Sequence, residues 1–484
     1  MKLNYKRTIL VGFAFFLISA FWQAYDAIIP LMLTNHYGLS QTVSGTVMSL
    51  DNILAVFLLP IFGALSDRIM TRFGRRTPFI VVGTIAAVIS FVLLAVMDAA
   101  QISRLVDEGI VDAYNATKAA LDSAREAGNE TLVTLYENGL AEITERVQKI
   151  TLNNLMPVVG FIGVLLVVLL SMTLFRSPAV ALMPDVTIKP LRSKGNAIIN
   201  LMGTAGGILV LALGIVFGTS KNLYMSYVGY VIAVAAIMVG GLVAFILTVR
   251  EKSWAEEMER DSERFGIDEK AEQAAAGNKK LSKSEIISLL LILASVALWY
   301  IGYNSITSKY SVYATNILGF DYNATLIVAQ GAAVVSYIPV GIVSSKFGRR
   351  KTILAGIVML AAAFLLGYFI TSEAHPLVMY PIFALAGIGW ATINVNSFPM
   401  AVELASGGNV GKYTGYYYTA SMAAQIVAPI LSGALYDIFG MRHVFFIFGT
   451  VFVALSFVTM FFVKHGDAKP ERQGALESLA GAED

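Results

Sequence analysis

Three ionisable side chains stand inside apolar runs long enough to cross a bilayer: Asp26 within Trp22-Gln23-Ala24-Tyr25-Asp26, Asp51, and Arg176 within Phe175-Arg176-Ser177-Pro178. A charge at that depth costs about 2.5 to 3.5 kcal/mol even on the lenient insertion scale, so each needs a reason. The chemistry open to them is cation coupling. A carboxylate removed from water holds its proton more tightly, so it can load on one side of a barrier and empty on the other. Arg176 keeps its charge in both states, as counter-ion to the emptied acid or as donor to a ligand hydroxyl. The competing reading makes Asp26 and Asp51 structural acids, paired with Arg176 or with backbone groups.

Trp22, Gln23 and Tyr25 beside Asp26 offer rings and an amide of the kind that cradle a sugar, since apolar C–H faces stack on rings and hydroxyls pair with amides. The second half of the chain supplies polar groups without charge at matching places: Trp299, Tyr300 and Asn304, then Gln330, then Asn394 and Asn396, then Tyr416 to Tyr418 with Gln425. Uncharged amides and phenols suit a neutral polyhydroxy ligand. The same residues also glue membrane helices to one another.

Both sets are organised by a repeat. Gly63 to Phe79 reads G-A-L-S-D-R-I-M-T-R-F-G-R-R-T-P-F, and a degraded copy, G-I-V-S-S-K-F-G-R-R-K, runs from Gly341 to Lys351, 278 residues on. Upstream, Tyr25-Asp26-Ala27-Ile28 is echoed by Tyr303-Asn304-Ser305-Ile306, and in both halves the second residue of this echo lies 37 residues before the gate glycine. The ionisable members survive only in the first half, where Asp26 answers to Asn304 and Asp67 to Ser345. Each cation knot is a tight turn between two spanning helices. The gating set is therefore Gly63, Asp67, Arg68, Arg72, Gly74, Arg75 and Arg76 in one half, and Gly341, Gly348, Arg349 and Arg350 in the other. At the C-terminal end of its helix the Asp67 carboxylate is disfavoured by the dipole, which makes Arg68, Arg72 and Arg75 its natural partners.

The elements that must position these groups follow from composition. With 56% hydrophobic residues, 14% charged ones and a mean hydropathy of +0.69, the 484 residues describe a polytopic membrane protein. Twelve apolar spans are expected near 8–33, 41–66, 77–98, 155–183, 195–218, 223–249, 285–308, 322–345, 351–371, 377–401, 412–436 and 441–463. Lys and Arg gather in alternate loops, at Lys2, Lys6 and Arg7, at Arg68 to Arg76, at Lys189, Arg192 and Lys194, and at Arg349 to Lys351, which puts both termini in the cytoplasm. The first span has no small-residue cleavage site behind a short apolar core, so it is expected to be retained as a helix. The expected division is a first bundle at 1–98 and 154–249, a helical hairpin outside the membrane at 99–153, a cytoplasmic linker at 250–284, a second bundle at 285–464 and a cytoplasmic tail at 465–484. The hairpin is expected to be a tolerated extension, with a lid or partner-binding role as the alternative.

There is no cysteine, which excludes disulfides and thiol catalysis. His36, His375, His443 and His465 lack ligand spacing and are expected to be interfacial or solvated, so neither a metal nor a cofactor is expected.

Six plus six spans, a central linker, and G-x-x-x-D-R with G-R-R between spans two and three resemble the major facilitator superfamily. The seven residues from Asp67 to Gly74, with S-D-R-x-x-x-R-F-G-R-R-x-P-F, resemble the plant sucrose transporters and their animal and bacterial relatives, and the melibiose-type symporters share this spacing. Pro178 to Val186, P-A-V-A-L-M-P-D-V, followed by R-S-K-G-N-A-I-I-N, resembles a second sucrose-transporter segment and brings Asp185 into the gating set. The chain departs where that family has an intramembrane arginine, since Val180 stands there and Arg176 one turn earlier. Leu169 stands where plant members carry an aspartate. The resemblance implies an all-α fold of two pseudo-symmetric six-helix bundles, and an inner gate in which Asp67 meets the start of span eleven near Lys412.

The expectation is a secondary transporter of the inner or plasma membrane, acting as a monomer on a sugar, a disaccharide or glucoside, with a proton or sodium ion as coupling partner and no nucleic acid. An exporter of amphipathic drugs and a non-transporting sugar receptor are the alternatives. An enzyme is not expected, because no phosphate loop, H-E-x-x-H or G-x-S-x-G occurs.

Overall fold

The computed structural model describes residues 3–265, 282–404 and 410–466. Lys2, linker residues 266–281 and tail residues 467–484 lie outside the described residues. Among the described residues, twelve helices long and apolar enough to span a membrane run at Tyr5–His36, Gln41–Arg68, Thr77–Asp107, Met156–Asp185, Lys194–Phe217, Val228–Thr248, Lys283–Leu318, Tyr322–Phe347, Arg349–Tyr368, Pro376–Glu403, Lys412–Phe439 and Met441–Phe461. Apolar runs of this length become helices because a bilayer offers backbone N–H and C=O groups no partner outside their own segment.

The packing of these spans repeats. Span one packs on five and six as seven packs on eleven and twelve, and span three packs on four and six as nine packs on ten and twelve. Span two packs on four as eight does on ten. Two bundles related by a pseudo-two-fold axis result, and they meet where span two lies on eleven and span five on eight. Even the irregular turns recur: the C-terminal ends of spans one and seven are π-helical, at Met32–His36 and Tyr313–Leu318. Such wide turns are frequent at functional places.

The two ends of the bundle are distinct. One carries the cation knots and the first residues of the chain and is called the basic face below; the other carries the hairpin. Helices Ile110–Glu126 and Glu130–Asn153 form that hairpin around Gly128, which takes the left-handed φ of 64° the turn requires. Span three does not stop near residue 98 but continues to Asp107, and its added turns bury Gln101, Ile102 and Leu105. Ile102, Leu105, Ile110, Tyr114, Ile143, Val147 and Tyr224 form a small core of their own at the hairpin base. Gly38, after span one, lies against the backbone of Gln148.

That base corrects the reading of His36 as interfacial or solvated. His36 is fully buried, with Nδ1 2.7 Å from the Asp98 carboxylate and Nε2 2.8 Å from the Leu223 carbonyl. Tyr224 and Tyr227 stack on it, and Gln101 Nε2 donates to its backbone carbonyl at 3.0 Å. The carbonyl can only accept, so Nε2 carries a hydrogen and the histidine and Asp98 share one more. Of the others, His375 and His443 are exposed, and His465 meets Ser288 Oγ at 3.0 Å.

Candidate functional site

Midway along span one, Gln23 and Asp26 stand one turn apart on the same helix face. Gln23 Oε1 accepts from Gln330 Nε2 of span eight at 2.5 Å, so this face looks across to the second bundle. Asp26 is exposed despite its depth, while Tyr25 beside it is fully buried among Phe21 and Trp22. Asp51 begins the lower part of span two, just after the chain breaks helical continuity at Ser49, and Asn52 Nδ2 donates to it at 2.8 Å. The charge of Asp51 reaches both Asp26 and Arg176. The Arg176 guanidinium lies 5.7 Å from the centre of the Trp22 ring, a cation over an aromatic face. Two acids and an arginine from spans one, two and four thus form a single group on the wall of the first bundle.

The second bundle contributes an aromatic and amide cluster. Tyr303 and Trp390 stack in parallel, 3.7 Å apart and 8° from coplanar, and Tyr300 meets Trp390 edge-on. Trp390 was not among the sequence candidates, because nothing local separates it from any other core tryptophan. Of those candidates, Trp299 is fully buried. Asn304 turns its amide to the Tyr300 carbonyl of its own helix at 2.9 Å. Asn396 ties span ten to eight, accepting from Ser344 Oγ and donating to the Thr392 carbonyl. Asn394 is buried, and Gln425, half-buried, donates to the Ser421 carbonyl at 3.3 Å.

The hairpin face of the crevice is shut. Asn35 and Asn316 exchange hydrogen bonds across spans one and seven, at 3.3 and 2.7 Å. Tyr322 Oη and Asn323 Nδ2 meet Thr219 Oγ1 where span eight begins and five ends, at 2.7 and 3.0 Å. On the pseudo-symmetric side the Asp437 carboxylate, at the end of span eleven, accepts from the backbone N–H groups of Gln41 and Thr42 at the start of span two.

At the basic face the ion pairs described stay within one bundle. Asp67 pairs with Arg76 at 2.5 Å, and not with Arg68, Arg72 or Arg75, which are exposed. Buried Arg76 also donates to Asp185 at 2.7 Å and to Ser66 Oγ. Burial opposes its charge, and the hydrogen bond and charge of Asp185 together with those of Asp67 more than offset this, holding the guanidinium above its ordinary range. Gly63 lets span two approach Ser177 of span four. In the second bundle the matching acid, Glu403, pairs with Arg349, while Arg350 donates to the Phe461 carbonyl that ends span twelve. Gly341 is buried beside this turn, and Gly348 takes a φ of 93°.

Sequence reasoning missed the acid that organises the first knot. Glu251, at the start of the linker helix Glu251–Arg264, is buried and accepts from the backbone N–H of Arg75, Arg76 and Thr77 at 2.6, 2.8 and 2.7 Å, and from Thr77 Oγ1 at 2.7 Å. It supplies the cap that span three lacks, because four N–H groups at a helix start are otherwise unpaired. In the sequence it is one acid in a mixed-charge stretch, with no spacing to mark it.

Two family models match the chain, "MFS/sugar transport protein" over residues 10–103 and "Major Facilitator Superfamily" over 323–481, between them just over half of it. The chain belongs to the major facilitator superfamily. The superfamily's fold covers its full length: the inward-open xylose transporter XylE from E. coli superposes with a TM-score of 0.61 over 98% of this chain and 99% of its own, at 14% identity. A D-xylose-proton symporter does so at 0.59 over 96% and 99%, at 13% identity. A curated relative, an MFS-type transporter named ppzB from Metarhizium rileyi, is 29% identical over 123 residues. That match spans a quarter of this chain and a quarter of the relative. Membership of a transporter superfamily, rather than any missing motif, places this major facilitator protein outside the enzymes.

Proposed function

We propose that this major facilitator protein is a secondary transporter that moves a sugar, a disaccharide or glucoside, together with a cation, most simply a proton, by alternating access between its two bundles. One observation carries the reading. An acid group, Asp26 with Asp51 and Arg176, stands in the first bundle, and an uncharged stack of Tyr303 and Trp390 stands in the second. The first can exchange a proton, and the second offers a sugar's flat C–H faces a place to stack. The match of the first three spans to a sugar-transport family model supports the same cargo class. The basic face is the cytoplasmic one, because positive charge collects in the loops there, and the shut hairpin face fits an inward-facing state. Asp26 is the coupling acid and Asp51 with Arg176 tunes it. The protein acts as a monomer in the inner or plasma membrane.

The test is uptake into liposomes holding the purified protein, with a panel of labelled mono- and disaccharides and an imposed pH gradient. Accumulation that collapses with the gradient is expected. A receptor would bind sugar without accumulating it, and a drug exporter would leave the sugars outside and take up amphipathic dyes.

A further inference from the structure

We propose that Lys309 and Asp437 are positioning residues of the hairpin-face gate that act in opposite senses, Asp437 holding it shut and Lys309 urging it open. The inference rests on the alternating-access reading. Asp437 reaches from the second bundle to the first residues of helix Gln41–Met48, where it accepts from Gln41 N and Thr42 N at 2.8 Å each and from Thr42 Oγ1 at 2.5 Å. That helix has a cap of its own, Ser40, but it serves only Val43 N, at 3.3 Å. The carboxylate of the opposite bundle therefore pairs donors that would otherwise have none, at the end of the helix where the dipole favours an anion. These bonds exist only while the bundles touch here.

Lys309 sits one turn further in. It lies in the break between Thr307 and Tyr310 of span seven, is fully buried, and donates from Nζ to Ser44 Oγ at 2.5 Å. An ammonium has three donors and a full charge, and a hydroxyl answers only one donor. Asp437 is the acid whose charge acts on it, yet its carboxylate is spent on the helix start and forms no direct ion pair with Lys309. Burying a cation against such incomplete compensation costs more than the contact returns. Opening the gate would hydrate Lys309 and release that cost, whereas opening breaks every bond of Asp437. The two residues are neighbours in one cluster, and their removal should move the gate in opposite directions.

The chain has no cysteine, so pairs introduced for labelling meet no background. Lys221→Cys and Thr371→Cys, both exposed in hairpin-face loops of opposite bundles, carry spin labels whose separation reports the gate. Distance distributions in nanodiscs need no substrate, so the outcome is independent of whether the cargo is a sugar. Asp437→Asn is expected to raise the open fraction roughly fivefold, the size of a lost helix cap. Lys309→Met is expected to lower it, and on the Asp437→Asn background to return it toward the starting value. Lys309→Gln, polar and neutral, should act in the same direction. An open fraction unchanged or raised by either Lys309 variant, or unmoved by Asp437→Asn, overturns the proposal. Distances that shift as stated beside a failed sugar-uptake assay would leave the gate inference standing and remove the sugar.

Discussion

The Glu251 carboxylate fills the space that a β-carbon on Gly74 would need, and Gly74 holds a φ of 118° that only glycine adopts readily. The linker thus grips the loop between spans two and three through backbone N–H groups, leaving the arginine side chains to other work. Gly74→Ala is expected to displace Glu251 and destabilise the protein. Glu251→Gln should do the same by about 2 kcal/mol, since it weakens several charge-assisted bonds at once. Thermal unfolding in detergent, with limited proteolysis of residues 69–77, reads both effects; unchanged melting and cleavage would refute the grip.

Asp67 is 57% exposed, so its bond to Arg76 contributes under about 1 kcal/mol to stability. Asp67→Asn is expected to leave the melting temperature almost unchanged while lowering net uptake several-fold, as the proposed gating role requires. Arg76→Gln removes the shared partner of Asp67, Asp185 and Ser66 and should lower both. Normal uptake by Asp67→Asn at normal expression would end its gating role.

The hairpin divides at its waist. Its base packs on Tyr224 and follows the His36–Asp98 pair, whereas Arg125 and Glu137 near its tip form an exposed ion pair and Leu135 is 59% exposed. Replacing residues 118–139 with a short Gly-Ser turn should preserve uptake and cost less than about 1 kcal/mol, as long loops are cheap to close. Replacing all of 99–153 exposes the base and should lower expression and melting temperature. Equal outcomes for the two deletions would show that the base is not a core.

Coupling is tested at Asp26. Asp26→Asn mimics the loaded state and is expected to abolish accumulation against a gradient and acid-stimulated uptake, with sugar binding retained. Asn304→Ala should weaken binding less than Trp390→Ala does, because the Asn304 amide is turned to its own backbone while Trp390 stacks on Tyr303. Uphill uptake by Asp26→Asn with an unaltered pH profile would move the coupling site to Asp51 or to another cation.

What the sequence determined by itself is what local physics decides. Twelve apolar runs must become helices wherever water is absent, and their ends agree with the helices to within a few residues except where spans three and seven run on past their expected stops. The repeat, legible from Gly63 and Gly341, implied two like bundles and the depth of Asp26. Partner choice was not legible. Nothing in the spacing tells which of four neighbouring arginines Asp67 meets, that Glu251 caps a helix 174 residues away, or that His36 is sealed against Asp98. Those pairings join spans distant in sequence, and they are set by which helix faces the pseudo-symmetric packing brings together. The amides that seemed to face a ligand were sorted in the same way. Asn304 and Asn396 satisfy backbone and neighbouring helices, as buried polar groups must, and only the tertiary structure could put Trp390 against Tyr303.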